Sequence, residues 1–269
     1  MIERRFGWIK DKHNPQAVYH RPKAVKIADI IDLSQYCPPV RNQGQEGSCT
    51  GFGIGGVAYT VAKMGGFASE IYSPTWLYNG ARDLEGTLTT DSGAAPDDLF
   101  KWATLYGLLF EHFWPYTGVL DKSAPGSTRM AEAIKYPNFQ VIRVDNGVDG
   151  IVSALAEGHC VALGCPWSQR WESYTSGVML DPNGSVVGGG HETFLHGCDN
   201  PSQFVVGENS WDTDWGIKGH YRMPFSAFDW FKANGGYDAH YIVMSASPNP
   251  ITPKKKCWLF GGAKTASII

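Results

Sequence analysis

Cys49 closes the run Gln43-Gly44-Gln45-Glu46-Gly47-Ser48-Cys49, a polar, glycine-rich turn followed by small and apolar residues from Thr50 onward. A thiol attacks only as thiolate. The N-terminus of a helix lowers its pKa, because unpaired backbone N–H groups and the helix dipole favour negative charge there, and the spacing puts Ser48 or Cys49 at the N-cap of a predicted helix. A single cysteine is more often a buried structural thiol, so chemistry at Cys49 requires partners. An imidazole has to take the thiol proton and later protonate a leaving amine, and a third group has to fix the tautomer and orientation of the ring. His191 follows Gly188-Gly189-Gly190 at the edge of a predicted strand. Eighteen residues on, Asn209 follows the strand Phe204-Val205-Val206 and precedes Ser210-Trp211. Its amide can accept the proton on the far ring nitrogen, and Trp211 can shield that bond from water.

The elements that must position these groups follow from pattern and caps. Residues 1–26 are polar, contain Pro15 and Pro22, and read as an extended arm; Ile27 to Leu33 is short and apolar, and Pro38-Pro39 forces an extended approach to the nucleophile turn. From Thr50 to Lys63 apolar residues recur with partly helical spacing. Gly51, Gly53, Gly55 and Gly56 each cost about 1 kcal/mol in a helix, so that helix has to be central and packed on all sides. The same glycines match GxGxxG with Glu70 beyond, but a polar turn stands where a dinucleotide site needs a hydrophobic strand. Ser73-Pro74 opens a second helix over 73–83 and Pro96 to Tyr106 a third, closed by Gly107. Past residue 138 the pattern changes to strands: Phe139–Val144, Cys160–Cys165, Tyr174–Leu180, His191–Cys198, Phe204–Val206, His220–Met223 and Tyr241–Ser245, with a short helix at Ile151–Glu157. The reading is α+β: an arm (1–26), a helical subdomain (27–138), a β-rich subdomain (139–247) and a tail (248–269), with the cleft between the halves as the binding site.

The chain has 269 residues, 43% of them hydrophobic, and a net charge of -3. These are the figures of a globular protein, with no electrostatic reason to bind nucleic acid or an anionic membrane. No run of about eighteen apolar residues predicts a membrane span, and the N-terminus lacks an apolar signal segment. Cys37, Cys49, Cys160, Cys165, Cys198 and Cys257 form no CxxC and no dense framework, which predicts reduced thiols and a cytoplasmic setting, with export by another route left open. The tail carries Lys254-Lys255-Lys256 and Cys257-Trp258-Leu259-Phe260, a surface extension with a protein partner as the alternative.

Several separated motifs carry a family resemblance. Pro39-Val40-Arg41-Asn42-Gln43-Gly44 through Cys49, Trp114-Pro115-Tyr116, Ser176-Gly177-Val178, Gly190-His191 to Gly197-Cys198-Asp199, Glu208-Asn209-Ser210-Trp211, Trp215-Gly216 and Gly219-His220-Tyr221 together resemble a papain-like cysteine peptidase, of a bacterial or viral type. His191 lies 142 residues and Asn209 160 residues beyond Cys49, in the family's order and near its interval. The resemblance spans roughly residues 27–246. It implies a papain-like two-subdomain fold with a helical half and a β-barrel-like half. It also implies a cysteine endopeptidase that hydrolyses a polypeptide through a thioester acyl-enzyme without a cofactor or metal. By the same carry-over Cys49 is the nucleophile, His191 the base and acid, Asn209 the orienter and Trp211 the cover. Gln43 is the side-chain donor to the oxyanion beside the Cys49 amide, and a resting thiolate–imidazolium pair is implied.

The chain also departs from the pattern. Glu46 replaces a common cysteine three residues before the nucleophile, so the usual nearby disulfide cannot form; Thr50 replaces a tryptophan, and Asp212 a glycine. Glu192 and His196 stand where the family has apolar residues. They are expected to join a local hydrogen-bond network, with Glu192 turned away from Cys49 by strand alternation. A zinc site is disfavoured, since His191-Glu192-Thr193-Phe194-Leu195-His196 is one residue too long for HExxH. The alternatives are a transpeptidase or amidase using the same thiol, and an idle binding module that keeps the fold.

Overall fold

A computed structural model describes residues 5–24, 26–67 and 70–245, and 249–250 as backbone. The first half holds strands β1 (Val18–Tyr19) and β2 (Ile30–Asp32) and helices α1 (Cys49–Met64), α2 (Pro74–Glu85), α3 (Pro96–Tyr106) and α4 (Gly126–Glu132). The second holds β3 (Ile134–Lys135), β4 (Gln140–Arg143), α5 (Gly147–Ala156), β5 (Val161–Ser168), β6 (Val187–Asp199), β7 (Phe204–Glu208) and β8 (His220–Pro224). It ends with α6 (Ala227–Ala233), β9 (Asp238–Val243) and β10 (Asn249–Pro250). Seven strands run in the order β1-β4-β9-β5-β6-β7-β8, with β2 also on β6; β3 pairs with β10 apart from them. All pairings are antiparallel except β1 on β4.

The cap signals act as predicted. Ser73 Oγ accepts the Trp76 N–H at 3.1 Å, Pro74 opens α2, and Gly86 ends it in the left-handed region at φ 73°. Helix α1 is buried along nearly its whole length, and its glycines are the reason it can be. A methyl group on Gly53 would stand 3.0 Å from the Thr193 carbonyl, and one on Gly56 would stand 2.4 Å from the Phe194 ring, so β6 lies directly on the backbone of α1. Two apolar cores result. One joins α1, α2 and α3 through Ile54, Trp76, Leu77 and Trp102 to Phe194 and Ile242. The other lies on the opposite side of the sheet around Trp167, Trp171, Trp215, Phe228 and Phe231.

The predicted strand at Tyr174–Leu180 is absent. Tyr174 Oη donates to the Gly177 carbonyl at 2.6 Å, Gly177 has φ 75°, and the segment is a turn. Helices α4 and α6 were not anticipated. The tail from residue 251, with its lysines and aromatics, lies outside the described residues.

Candidate active site

Cys49 is the first residue of α1 and has no exposed surface. Backbone amides of Glu192, Gly7 and Thr50 act on its sulfur and favour the thiolate, but burial outweighs them and, with the negative charge of Glu192, pushes the thiol up to about 12. Burial thus works against the resting thiolate that the resemblance implies.

The imidazole side is built on β6 and β7. His191 is fully buried, and its Nε2 lies 2.7 Å from Asn209 Oδ1. The Ser210 N–H also donates to Oδ1, at 2.8 Å, which identifies that atom as the oxygen and makes Nε2 the protonated nitrogen. Trp211 stacks on His191 at 4.6 Å with the planes 28° apart, and Trp167, which the sequence suggested only as a pocket wall, meets the ring edge-on at 4.9 Å. Gln43 is tied to the same turn: its N–H donates to the Ser210 carbonyl at 2.9 Å, and its Oε1 accepts from Ser210 Oγ at 2.7 Å. That fixes Nε2 of Gln43 as a donor pointing into the cleft, where it meets the Glu46 carbonyl at 2.9 Å and the Arg5 carbonyl at 3.1 Å.

Arg5 belongs to the N-terminal arm, which runs through the cleft. The N–H groups of Gly7 and Trp8 both donate to the Gly190 carbonyl (3.1 and 2.9 Å), Ala94 N–H donates to Gly7 O (2.8 Å), and Ile9 N–H donates to Ala94 O (3.1 Å). The arm is thus clamped between the two cleft walls, one at Gly93-Ala94 and one at Gly190. Gly7 has to be glycine: a methyl there would lie 1.6 Å from the Gly47 carbonyl, inside the nucleophile turn. Phe6 packs edge-on to His191 (5.9 Å) and Trp211 (6.0 Å). Farther along, Asp11 is held by Arg143 (2.9 Å) beside Asp97 and His240.

Comparison with known proteins places this geometry. A family profile described as papain family cysteine protease matches residues 25–229. The chain belongs to the papain family of cysteine proteases. It is similar to an uncharacterized peptidase C1-like protein of Acanthamoeba polyphaga mimivirus, 25% identical over 94% of this chain and 93% of the relative. It is also similar to procathepsin L of Mus musculus, 24% identical over 81% of this chain and 66% of the relative. Among solved structures, xylellain, a cysteine protease from Xylella fastidiosa, superposes with a TM-score of 0.79 at 21% identity, over 91% of this chain and all of that one. The fold is papain-like and the protein is a papain-family cysteine peptidase, a hydrolase whose substrate is polypeptide. No helix among the described residues is long and apolar enough to cross a membrane.

Within this papain-family frame, some of the departures have structural answers. Glu46, in place of the common cysteine, is buried 3.8 Å from the fully buried Arg82 and receives the Asp121 N–H at 3.3 Å. Burial still raises its carboxyl to about 6. Asp212 adopts φ 70°, a conformation that suits the glycine it replaces. His196 does join a network, its Nε2 3.1 Å from Nδ1 of His220. Glu192 does not: neither carboxylate oxygen has a hydrogen-bond partner, and the side chain turns toward α1 at Gly53. From there its charge bears on Cys49, so alternation along the strand does not remove it from the thiol's field. Burial, with Asp11 and Asp238 nearby, raises the Glu192 pKa well above its ordinary value.

Proposed function

We propose that the chain is a latent cysteine endopeptidase in which Cys49, His191 and Asn209 perform hydrolysis and the N-terminal arm withholds them. The observation that carries this reading is the His191 Nε2–Asn209 Oδ1 bond, with the oxygen fixed by Ser210 N–H. It leaves Nδ1 as the nitrogen that exchanges a proton with the thiol. His191 takes the Cys49 proton, the sulfur attacks the scissile carbonyl carbon, and the new C–S bond places negative charge on oxygen. Gln43 Nε2–H and the Cys49 N–H donate to that oxygen. The proton then passes from His191 to the departing nitrogen, the C–N bond breaks, and a thioester remains. Water, deprotonated by His191, attacks the thioester; the C–S bond breaks, the acid leaves and the thiol regains its proton.

The arm opposes each of these steps. The Arg5 carbonyl accepts from the Gln43 donor, and the Gly7 amide acts on the sulfur where a substrate would present a carbonyl carbon. The arm also runs backwards. His191 must protonate the leaving nitrogen, so the C-terminal part of a substrate lies over His191 and Trp211. Phe6 occupies that side, and the arm proceeds from it toward the acyl side.

Gly7→Ala, which sets a methyl against the Gly47 carbonyl, tests the reading. At pH 7 an epoxide or iodoacetamide is expected to modify Cys49 at least 100-fold faster in Gly7→Ala than in the parent chain. Peptide hydrolysis is expected to appear in Gly7→Ala and to vanish when Cys49→Ala is added. Hydrolysis surviving Cys49→Ala sinks the mechanism, and equal labelling of the two chains sinks the latency.

A further inference from the structure

Farther along the arm, three side chains from three different elements converge. Asp11 comes from the arm, Asp97 from the first turn of α3 and His240 from β9, and each offers a ligand atom within 4.8 Å of the other two. Asp11 and His240 are buried and Asp97 is partly exposed, so the group is enclosed by protein with one side open to solvent. Hydrogen bonds decide which carboxylate oxygens are free. The Asp97 N–H donates to Asp11 Oδ1 at 2.8 Å, and Arg143 Nη2 donates to Asp11 Oδ2 at 2.9 Å and to Asp97 Oδ2 at 2.7 Å. Asp11 Oδ2 and Asp97 Oδ1 are left facing His240 Nε2, at 3.2 and 3.9 Å.

That nitrogen is the decisive observation. It is buried, points into the acidic group and has no hydrogen-bond partner, although a carboxylate oxygen stands 3.2 Å away. A hydrogen bond at such a distance requires alignment of donor and acceptor; here nitrogen and oxygen stand side by side, as two ligands of a common ion do. The charges agree with a missing cation. Asp238 joins the group through the Asp11 N–H, which donates to its Oδ2 at 2.8 Å, so three carboxylates gather around the single guanidinium of Arg143. Burial and the charge of Asp11 raise the pKa values of Asp97 and Asp238, a repulsion that a bound cation relieves.

We propose that Asp11, Asp97 and His240 bind a zinc ion, with water from the open side as the fourth ligand. An imidazole nitrogen beside two carboxylates suits zinc better than calcium or magnesium, which favour sets made of oxygen alone. Zinc ligands at about 2.1 Å stand roughly 3.4 Å apart in a tetrahedral site. The spacing between His240 and Asp11 is already close to that, and a small rotation of the partly exposed Asp97 side chain brings in its Oδ1. Arg143 stays on both carboxylates from outside, as hydrogen-bond donors to ligating oxygens do in metal sites. The site shares no residue with Cys49, His191 and Asn209, and does not depend on the peptidase reading. Because Asp11 belongs to the arm while Asp97 and His240 belong to the body, bound zinc ties the arm to α3 and β9.

The test titrates Zn2+ into the untagged full chain at pH 7, with the thiols kept reduced by a phosphine, and follows binding by isothermal titration calorimetry. One ion per chain is expected, with a Kd on the order of 1 μM or tighter and a Tm raised by about 3 °C or more at about 100 μM Zn2+. Asp97→Asn and His240→Gln should each weaken binding about 10-fold or more. Absent binding, or binding that either substitution leaves unchanged, overturns the site. Co2+ bound to the unaltered chain keeps the test independent of how the variants fold. Weak visible d–d bands without a thiolate charge-transfer band in the near ultraviolet are expected at one equivalent; a thiolate band there places the metal on a cysteine and overturns the proposal.

Discussion

Cys49 and His191 are held in place by opposite means. Cys49 is positioned by close backbone contact, α1 lying on β6 and α2 through glycines that leave no room for a side chain. His191 is positioned by partners: an amide oxygen at 2.7 Å, a stacked indole and a second indole at its edge. Three buried ionisable groups, Glu192, His196 and Glu208, also lie on the imidazole side, on β6 and β7. The first arrangement should fail when volume is added, the second when a polar partner or a proton is changed.

Gly56→Val breaks the contact side hardest. Its methyls would enter the Phe194 ring, and overpacking at a site with a 2.4 Å clash is expected to cost about 3 kcal/mol. A chemical denaturation midpoint equal to that of the parent chain would refute the account of α1. On the partner side, Asn209→Ala should leave the fold intact and lower kcat of the arm-released enzyme about 100-fold, because the ring loses the group that sets its tautomer and orientation. A loss seen in KM alone would mean that Asn209 does not act through His191.

The smallest effect is one of pH. Burial holds His196 down to about 4 in the folded chain, against an ordinary 6.5 when unfolded. The unfolded state takes up the proton first, so this contribution is complete above pH 6.5 and is lost as pH falls toward 4. From pH 8 to pH 5 it amounts to about 2 kcal/mol. Denaturation at the two pH values should show His196→Gln losing less stability on acidification than the parent by about that amount. Parallel pH dependence would place the proton elsewhere.

What could be read in advance was local or strongly periodic. Ser73-Pro74, Pro96 and Gly107 mark helix ends by chemistry acting within one turn, and the apolar run of β5 leaves little choice of element. The proposed site residues stood out in the sequence because Cys49 and Asn209 flank such elements, at the start of α1 and just past β7, and because His191 follows a run of three glycines. Tyr174–Leu180 misled because its alternation is broken by Gly177 at positive φ. Helices α4 and α6 span only seven residues each, too few for a period to emerge, although Ala227, Phe228 and Phe231 do share a helical face. The path of the arm was illegible for a different reason. Phe6-Gly7-Trp8 shows no pattern of its own, and its conformation is set by Gly190, Ala94 and Asp238, each at least 85 residues away. The field of Glu192 at Cys49 likewise follows from how closely Gly53 lets β6 approach, a tertiary distance that alternation along one strand does not encode.

The bond between the Arg5 carbonyl and the Gln43 amide has a consequence for concentration. In the latent enzyme proposed above the arm is covalently part of the enzyme, so its local concentration is set by tether geometry and not by how much protein is present. Dilution cannot release it, and a free peptide of the same sequence added in trans would need to reach that effective molarity to match it. Activation therefore has to come from something that cuts the tether, competes for the cleft, or weakens the clamp at Gly190 and Ala94.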